Sequence, residues 1–211
     1  MNTTRTAFFE ALDTSRAVLA APETGAHWEE PSALAEYSVR GLAGHLVRAT
    51  TTVLDYVAAP EAGGEPIAAG EYFAHARLSP DLMSAQHVAI RQRAEEMAQA
   101  GHQALLAQID TARDHLVQVL ESTPADRKLK VFGDRTMRLD DYLLTRIVEL
   151  AIHTDDLAVS VGLAPPELPR LAADAVLRHL LDVARTRSGD LAVLRAFSRA
   201  ERDQAHALRI F

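Results

Sequence analysis

Between Leu139 and Gly162 the chain reads LDDYLLTRIVELAIHTDDLAVSVG. At about 100° per residue, Tyr142, Arg146, Glu149, His153, Asp156 and Ser160 fall on one narrow stripe of a helix. Glu149 and His153, four apart, then project side by side, the spacing that two ligands on one helix require. A third ligand must come from a facing helix, and His45 is the candidate. It shares a face with Leu42, Ala49, Thr52 and Tyr56, whereas Arg40, Arg48, Thr51 and Asp55 lie on other sides, so His45 points toward a core. A His, Glu, His set leaves one position open on a divalent cation such as zinc. That is the arrangement of catalytic rather than structural sites.

The blander reading is a solvated stripe on an amphipathic helix, with His45 a hydrogen-bonded core residue, and the helical wheel alone favours it. The width of the apolar surface argues the other way. A surface helix needs an apolar arc of somewhat over 100°. Here Leu143, Leu144, Ile147, Val148, Leu150, Ile152, Leu157, Val159 and Val161 cover most of the girth, with Asp140, Asp141 and Asp155 as exceptions. A helix so nearly enclosed turns its polar stripe toward a cavity. Other constellations are weaker. Glu71 and His75 have the i, i+4 spacing but follow Gly70 in an irregular stretch. His87, His102 and His115 are too far apart to share an ion, and His27, His179 and His206 have no evident companion. Gly63–Gly64 lacks the Lys and Ser/Thr of a phosphate loop, and no Gly-x-Ser-x-Gly elbow occurs.

The elements that must position these residues are helical. Periodicity predicts helices over 3–21, 38–58 with Ser38 as N-cap, 80–121 with Gly101 bending or splitting it, and 139–161 with Gly162 as the C-terminal glycine. Residues 60–80, rich in Gly and Pro, read as a long loop that could form a lid or rim. KLKVFGDRTMR alternates well enough for a short hairpin near 128–137, turning at Gly133–Asp134. Two more helices are expected at 167–187 and 190–209. The fold class is therefore all-α: a four-helix bundle over residues 1–162, with a helical extension over 163–211 packed on it.

Composition limits the partners. The 211 residues carry 22 Lys plus Arg against 29 Asp plus Glu, a net charge of −7, which repels phosphate backbones and makes nucleic acid an unsuitable partner. No window reaches the ~18 apolar residues of a bilayer span, and the N-terminus shows no secretory signal, so a cytoplasmic location is expected. There is no cysteine. A disulfide, Cys-ligated zinc and a protein-borne thiol nucleophile are all excluded.

Trp28 with Pro31, Ser32 and Leu34, then YSVRGLAGHL at 37–46, then RIVELAIHTDDLA at 146–158, resemble the DinB-like superfamily, and more closely the N-terminal domain of mycothiol-dependent maleylpyruvate isomerases. The resemblance implies a four-helix bundle holding a divalent metal, usually zinc, through His45, Glu149 and His153. Asp156 matches the family's recurrent aspartate, with a supporting role behind the ligands, and Trp28 matches a packing tryptophan. It also implies mycothiol as co-substrate: an external low-molecular-weight thiol would add to, or isomerise, a small electrophile. There are departures. Tyr37 stands where the family has an aromatic residue, often Trp. The isomerase carries a separate α/β C-terminal domain with a substrate-binding arginine; the 49 residues after Gly162 read as helix, so no counterpart of that domain is expected in them, and no tail arginine such as Arg195 or Arg199 is assigned by motif. A metal-assisted hydrolase and a non-catalytic metal or ligand carrier are the rival readings.

Overall fold

The computed structural model describes residues 1–75 and 81–198. Four long helices form the bundle: α1 (Thr3–Leu19), α3 (Val39–Ala58), α6 (His102–Ser122) and α7 (Leu139–Ser160). Their leucine-rich stripes meet in one core. Phe8 and Leu12 of α1, Leu42 and Leu46 of α3, Leu105, Ile109 and Leu116 of α6, and Leu143, Ile147 and Leu150 of α7 are all fully buried. The α6 stripe, at spacings of four and seven, is what a helix buried on one face needs.

Several expectations are refined. The break after α1 holds a short helix, α2 (Pro22–Ala26), with Pro22 at its first turn. Gly101 does split the third stretch: its φ of +93° ends the run, giving α5 (Ala85–Ala98) before α6. The predicted hairpin is present as β1 (Lys128–Val131) and β2 (Arg135–Arg138), antiparallel, with Gly133 and Asp134 at positive φ in the turn. Of the 60–80 segment, residues 60–75 are described, and they are not a free loop. Ala62 and Ile67 donate their backbone N–H groups to Lys128 and Thr136 of the hairpin, and α4 (Ala69–His75) then crosses to lie on α7 and α8. Short helices of this kind escape periodicity because two turns carry too few residues to define a face.

Two joints fix the site helices. Ser38 caps α3 by accepting from the Gly41 N–H and donating to Glu95 of α5, and Glu95 also accepts from Arg40. Further along, α5 lies against the bare Cα of Gly44. A Cβ there would land on the Ala94 carbonyl oxygen and crowd Ala98. Gly44→Ala is therefore expected to cost about 1–3 kcal/mol by overpacking. Urea denaturation midpoints measure it, and a variant as stable as the parent would show that α5 shifts freely. The second joint joins α1 to α7, where the buried hydroxyls of Ser15 and Thr154 are 2.7 Å apart.

The C-terminal end of α7 closes as a Schellman motif: Gly162, at φ +74°, lets Leu163 N–H reach the Ala158 carbonyl. The chain then returns as α8 (Arg170–Ser188), against α1, α4 and α7, and α9 (Asp190–Ser198), against α8. Glu10 of α1 accepts from the Ala172 N–H near the start of α8. The part of the expected last helix beyond residue 198, with His206, lies outside the described residues. No helix among the described residues is long and apolar enough to cross a membrane.

Candidate metal centre

Three helices enclose α7 on most of its circumference: α1, α3 and α8, with α4 over part of the remainder. The polar stripe faces the gap that remains, and α3 presents His45 across it. His45 Nε2 is 3.4 Å from Glu149 Oε2, and His153 Nε2 is 3.3 Å from the same oxygen. The two imidazoles meet edge to face with centroids 4.7 Å apart. One ligand atom from each of the three residues lies within 4.8 Å of the others, and this is the one such group among the described residues. The wide apolar girth was thus the informative signal, and the solvated-stripe reading fails for these positions: the three side chains are only 16–21% exposed.

Asp156, one turn further along α7, accepts a hydrogen bond from His153 Nδ1 at 3.0 Å. That contact keeps a proton on Nδ1 and turns Nε2 toward Glu149. His45 is held differently. Its Nδ1 is buried with no hydrogen-bond partner among the described residues, and its ring is wedged between Tyr37, 5.8 Å away, and His153. Packing rather than a hydrogen bond fixes its direction. Ser160 ends the stripe outside this cluster, donating to the Asp156 carbonyl and accepting from the Ala33 N–H.

The charges follow from the geometry. Burial opposes ionisation of Glu149, but the adjacent His153 and His45 imidazoles and the nearby Arg146 charge outweigh it and hold the carboxyl well below its usual range. Burial likewise opposes a proton on His153. The two flanking carboxylates, Asp156 and Glu149, overcome it and raise this imidazole to about 9. His45 moves the opposite way, because burial dominates and lowers it. The protein alone therefore holds a carboxylate, one protonated and one neutral imidazole.

Beyond Glu149, Arg146 is flanked by tyrosines. Arg146 lies with its Cζ 4.8 Å from the Tyr142 ring centre and 6.0 Å from that of Tyr72. Tyr56 packs edge-on against Tyr142, whose hydroxyl is 3.2 Å from Thr52. Tyr72 comes from α4, and nothing in the spacing of the sequence could have placed it here. Among the described residues the other histidines do not converge. His102 contacts the Leu19 carbonyl, His27 the Glu23 carbonyl, and His179 is buried against Phe73. Glu71 accepts from the Ala68 N–H, and the side chain of His75, its partner in the i, i+4 pair, is outside the described residues.

The fold and the His–Glu–His cluster together define a DinB-like helical bundle. The chain belongs to the family described as the mycothiol maleylpyruvate isomerase N-terminal domain, whose family model matches residues 8–158. Its fold is similar to the crystal structure of the mycothiol-dependent maleylpyruvate isomerase, with a TM-score of 0.57 at 15% identity, over 86% of this chain and 68% of that one. A histidine-to-alanine mutant of that isomerase matches with the same values. No curated protein matches the sequence.

Proposed function

We propose that the protein is a metal-dependent enzyme that uses mycothiol, or a thiol of that kind, to add to or isomerise a small electrophilic substrate. His45, Glu149 and His153 would hold the ion, and zinc fits the donor set best. The observation that carries this reading is the separation of the donor atoms. At 3.3 and 3.4 Å, the two imidazole–carboxylate distances are longer than good hydrogen bonds. These two separations match the edge of a tetrahedron with metal–ligand bonds of about 2.0–2.1 Å, which is about 3.3–3.4 Å, while all three donor atoms lie within 4.8 Å of one another, so the imidazoles would close slightly on an ion. Two imidazoles and a carboxylate are also the ligands of catalytic zinc, with a position left for a further group.

When bound, the ion supplies the positive charge that turns a thiol of pKa ~8.5 into a thiolate at neutral pH. The chain's own residues do the rest. Asp156 holds the His153 ring in the tautomer that leaves Nε2 free to bind, the carboxylate–imidazole arrangement that raises a ligand's basicity. Tyr37 packs on the His45 ring, and Tyr72 and Tyr142 pack on Arg146, so aromatic rings border the cluster. Burial raises the pKa of each phenol, so these hydroxyls stay protonated and can only donate or accept hydrogen bonds. Because the chain has no cysteine, the sulfur nucleophile has to arrive as a small molecule.

Zinc-loaded protein, mycothiol and an α,β-unsaturated acid or maleylpyruvate test the proposal. Conjugate formation or cis–trans isomerisation should require both metal and thiol. Turnover of esters or amides without thiol would overturn it in favour of a hydrolase, and metal binding with no turnover in favour of a carrier.

A further inference from the structure

The outward face of α8 is uncovered among the described residues. Ala172, Val176, His179 and Val183 turn into the protein, while Asp174, Leu177, Arg178, Leu181, Asp182 and Arg185 are exposed. At about 100° per residue, Leu177 and Leu181 line one edge of this exposed stripe, Arg178 and Asp182 the other, and Asp174 and Arg185 lie between them. Leu177 and Leu181 are 66% and 37% exposed. The next helix, α9, packs on α8 and buries Val193 and Ala196, but leaves Leu191, Leu194 and Phe197 57–68% exposed. A single exposed leucine is ordinary. Five large apolar side chains exposed on one pair of adjoining helices mark an interaction surface.

We propose that this face binds a second copy of the chain, the two α8 helices lying antiparallel about a two-fold axis level with His179 and Leu180. The stripe is its own complement in that orientation. The pairs Asp174 with Arg185, Leu177 with Leu181 and Arg178 with Asp182 all have their midpoints at 179–180. One axis therefore brings all three together, each of them twice. It also keeps each edge beside its own counterpart, leucines against leucines and charges against charges. Parallel helices related by a two-fold axis would instead set every charge against its own copy. Arg185 already donates to Asp190 at 2.7 Å, and a guanidinium keeps further N–H groups for a second carboxylate. Neither Asp174 nor Arg178 has an ion-pair partner among the described residues. The two acids and two arginines of the stripe cancel, so chains of net charge −7 can meet here without repulsion at the contact. A stable dimer buries about 800 Å² on each partner. The stripe spans only about 17 Å, so Leu191, Leu194 and Phe197 of α9 have to share the contact.

Sedimentation velocity on the full chain is the test. Wild-type protein should pass from the mass of one chain to that of two as its concentration rises to about 100 μM. Arg178→Glu faces Asp182 of the second copy with like charge, and Asp182→Lys does the same to Arg178. Each variant alone should self-associate about tenfold more weakly, or worse. Mixed in equal parts, the two should form a one-to-one heterodimer as tight as the wild-type dimer, because position 178 of each then meets the opposite charge at 182 of the other. Wild-type protein that stays monomeric overturns the proposal and assigns the face to residues beyond 198 or to a different partner. Single variants that associate like the wild type overturn it too, since the contact would lie elsewhere. A mixture no tighter than its components overturns the antiparallel pairing. Circular dichroism checks that both variants fold. Should one of them not fold, Leu177→Cys and Leu181→Cys take their place, each adding the sole thiol to a chain without cysteine. Under mild oxidation the mixed pair should crosslink faster than either variant alone, and equal rates overturn the proposal.

Discussion

Glu149→Gln is expected to lower zinc affinity by two to three orders of magnitude while leaving the bundle folded. Glu149 Oε2 is the atom both imidazoles face, at 3.4 and 3.3 Å, so the substitution removes the one negative ligand at the centre of the cluster. Glutamine keeps the volume and loses the charge. Removing one member of a buried charged set costs about 3–5 kcal/mol, and 1.36 kcal/mol is a factor of ten. Competition with a chromogenic chelator measures the change, and circular dichroism checks the fold. Zinc affinity within threefold of the parent would mean that the cluster does not hold the ion.

The second large effect is on pH. In the metal-free protein the His153 imidazole is raised from 6.5 to about 9. A group raised in this way stabilises the fold through its proton. Its contribution is complete below about pH 6.5 and is lost as pH climbs through 9, about 3 kcal/mol in all. Glu149, depressed, works in the opposite sense: its contribution is present above the ordinary carboxylate range and fades as pH falls through its lowered value. His45, also depressed, adds to the acid-side loss because the unfolded chain takes up its proton first. The metal-free protein should therefore be most stable near pH 6–7 and lose stability on both sides. Zinc must displace the His153 proton, so affinity should keep rising about tenfold per pH unit up to about 8.5. An ordinary histidine would give a plateau above about pH 7. Zinc-buffered titrations at pH 6.5, 7.5 and 8.5 separate the two, and a flat profile above 7 would show that His153 is not the protonated ligand.

The bundle and the His45–Glu149–His153 cluster were legible because their signals are local or periodic. The stripe on α7 and the inward face of α3 each extend over several turns, and enclosure of α7 follows from the breadth of its apolar surface. Ser38, Gly101 and Gly162 mark boundaries through backbone needs that any reader of a sequence can recognise. What stayed hidden depends on contacts between distant segments. The Tyr72 ring reaches Arg146 only because residues 60–68 lie along the hairpin and carry α4 back over α7. The closeness of α5 to Gly44 is equally silent in the sequence, since a glycine inside a helix announces neither which neighbour comes near nor how near. Arg146 was visible as part of the stripe, but its place against the Tyr142 and Tyr72 rings is a matter of what surrounds it, which no spacing encodes.

The hydroxyl pair of Ser15 and Thr154 has a mechanical corollary. Thr154 directly follows His153, so this contact between α1 and α7 sets the angle at which α7 is keyed against its neighbour. A roll of 20° about the axis would carry side-chain tips on a shell of ~5.5 Å radius through roughly 2 Å, far outside the ±0.2 Å that coordination tolerates. Two oxygen atoms with no part in the chemistry thus act as a detent, and the aim of His153 and Glu149 depends on their staying engaged.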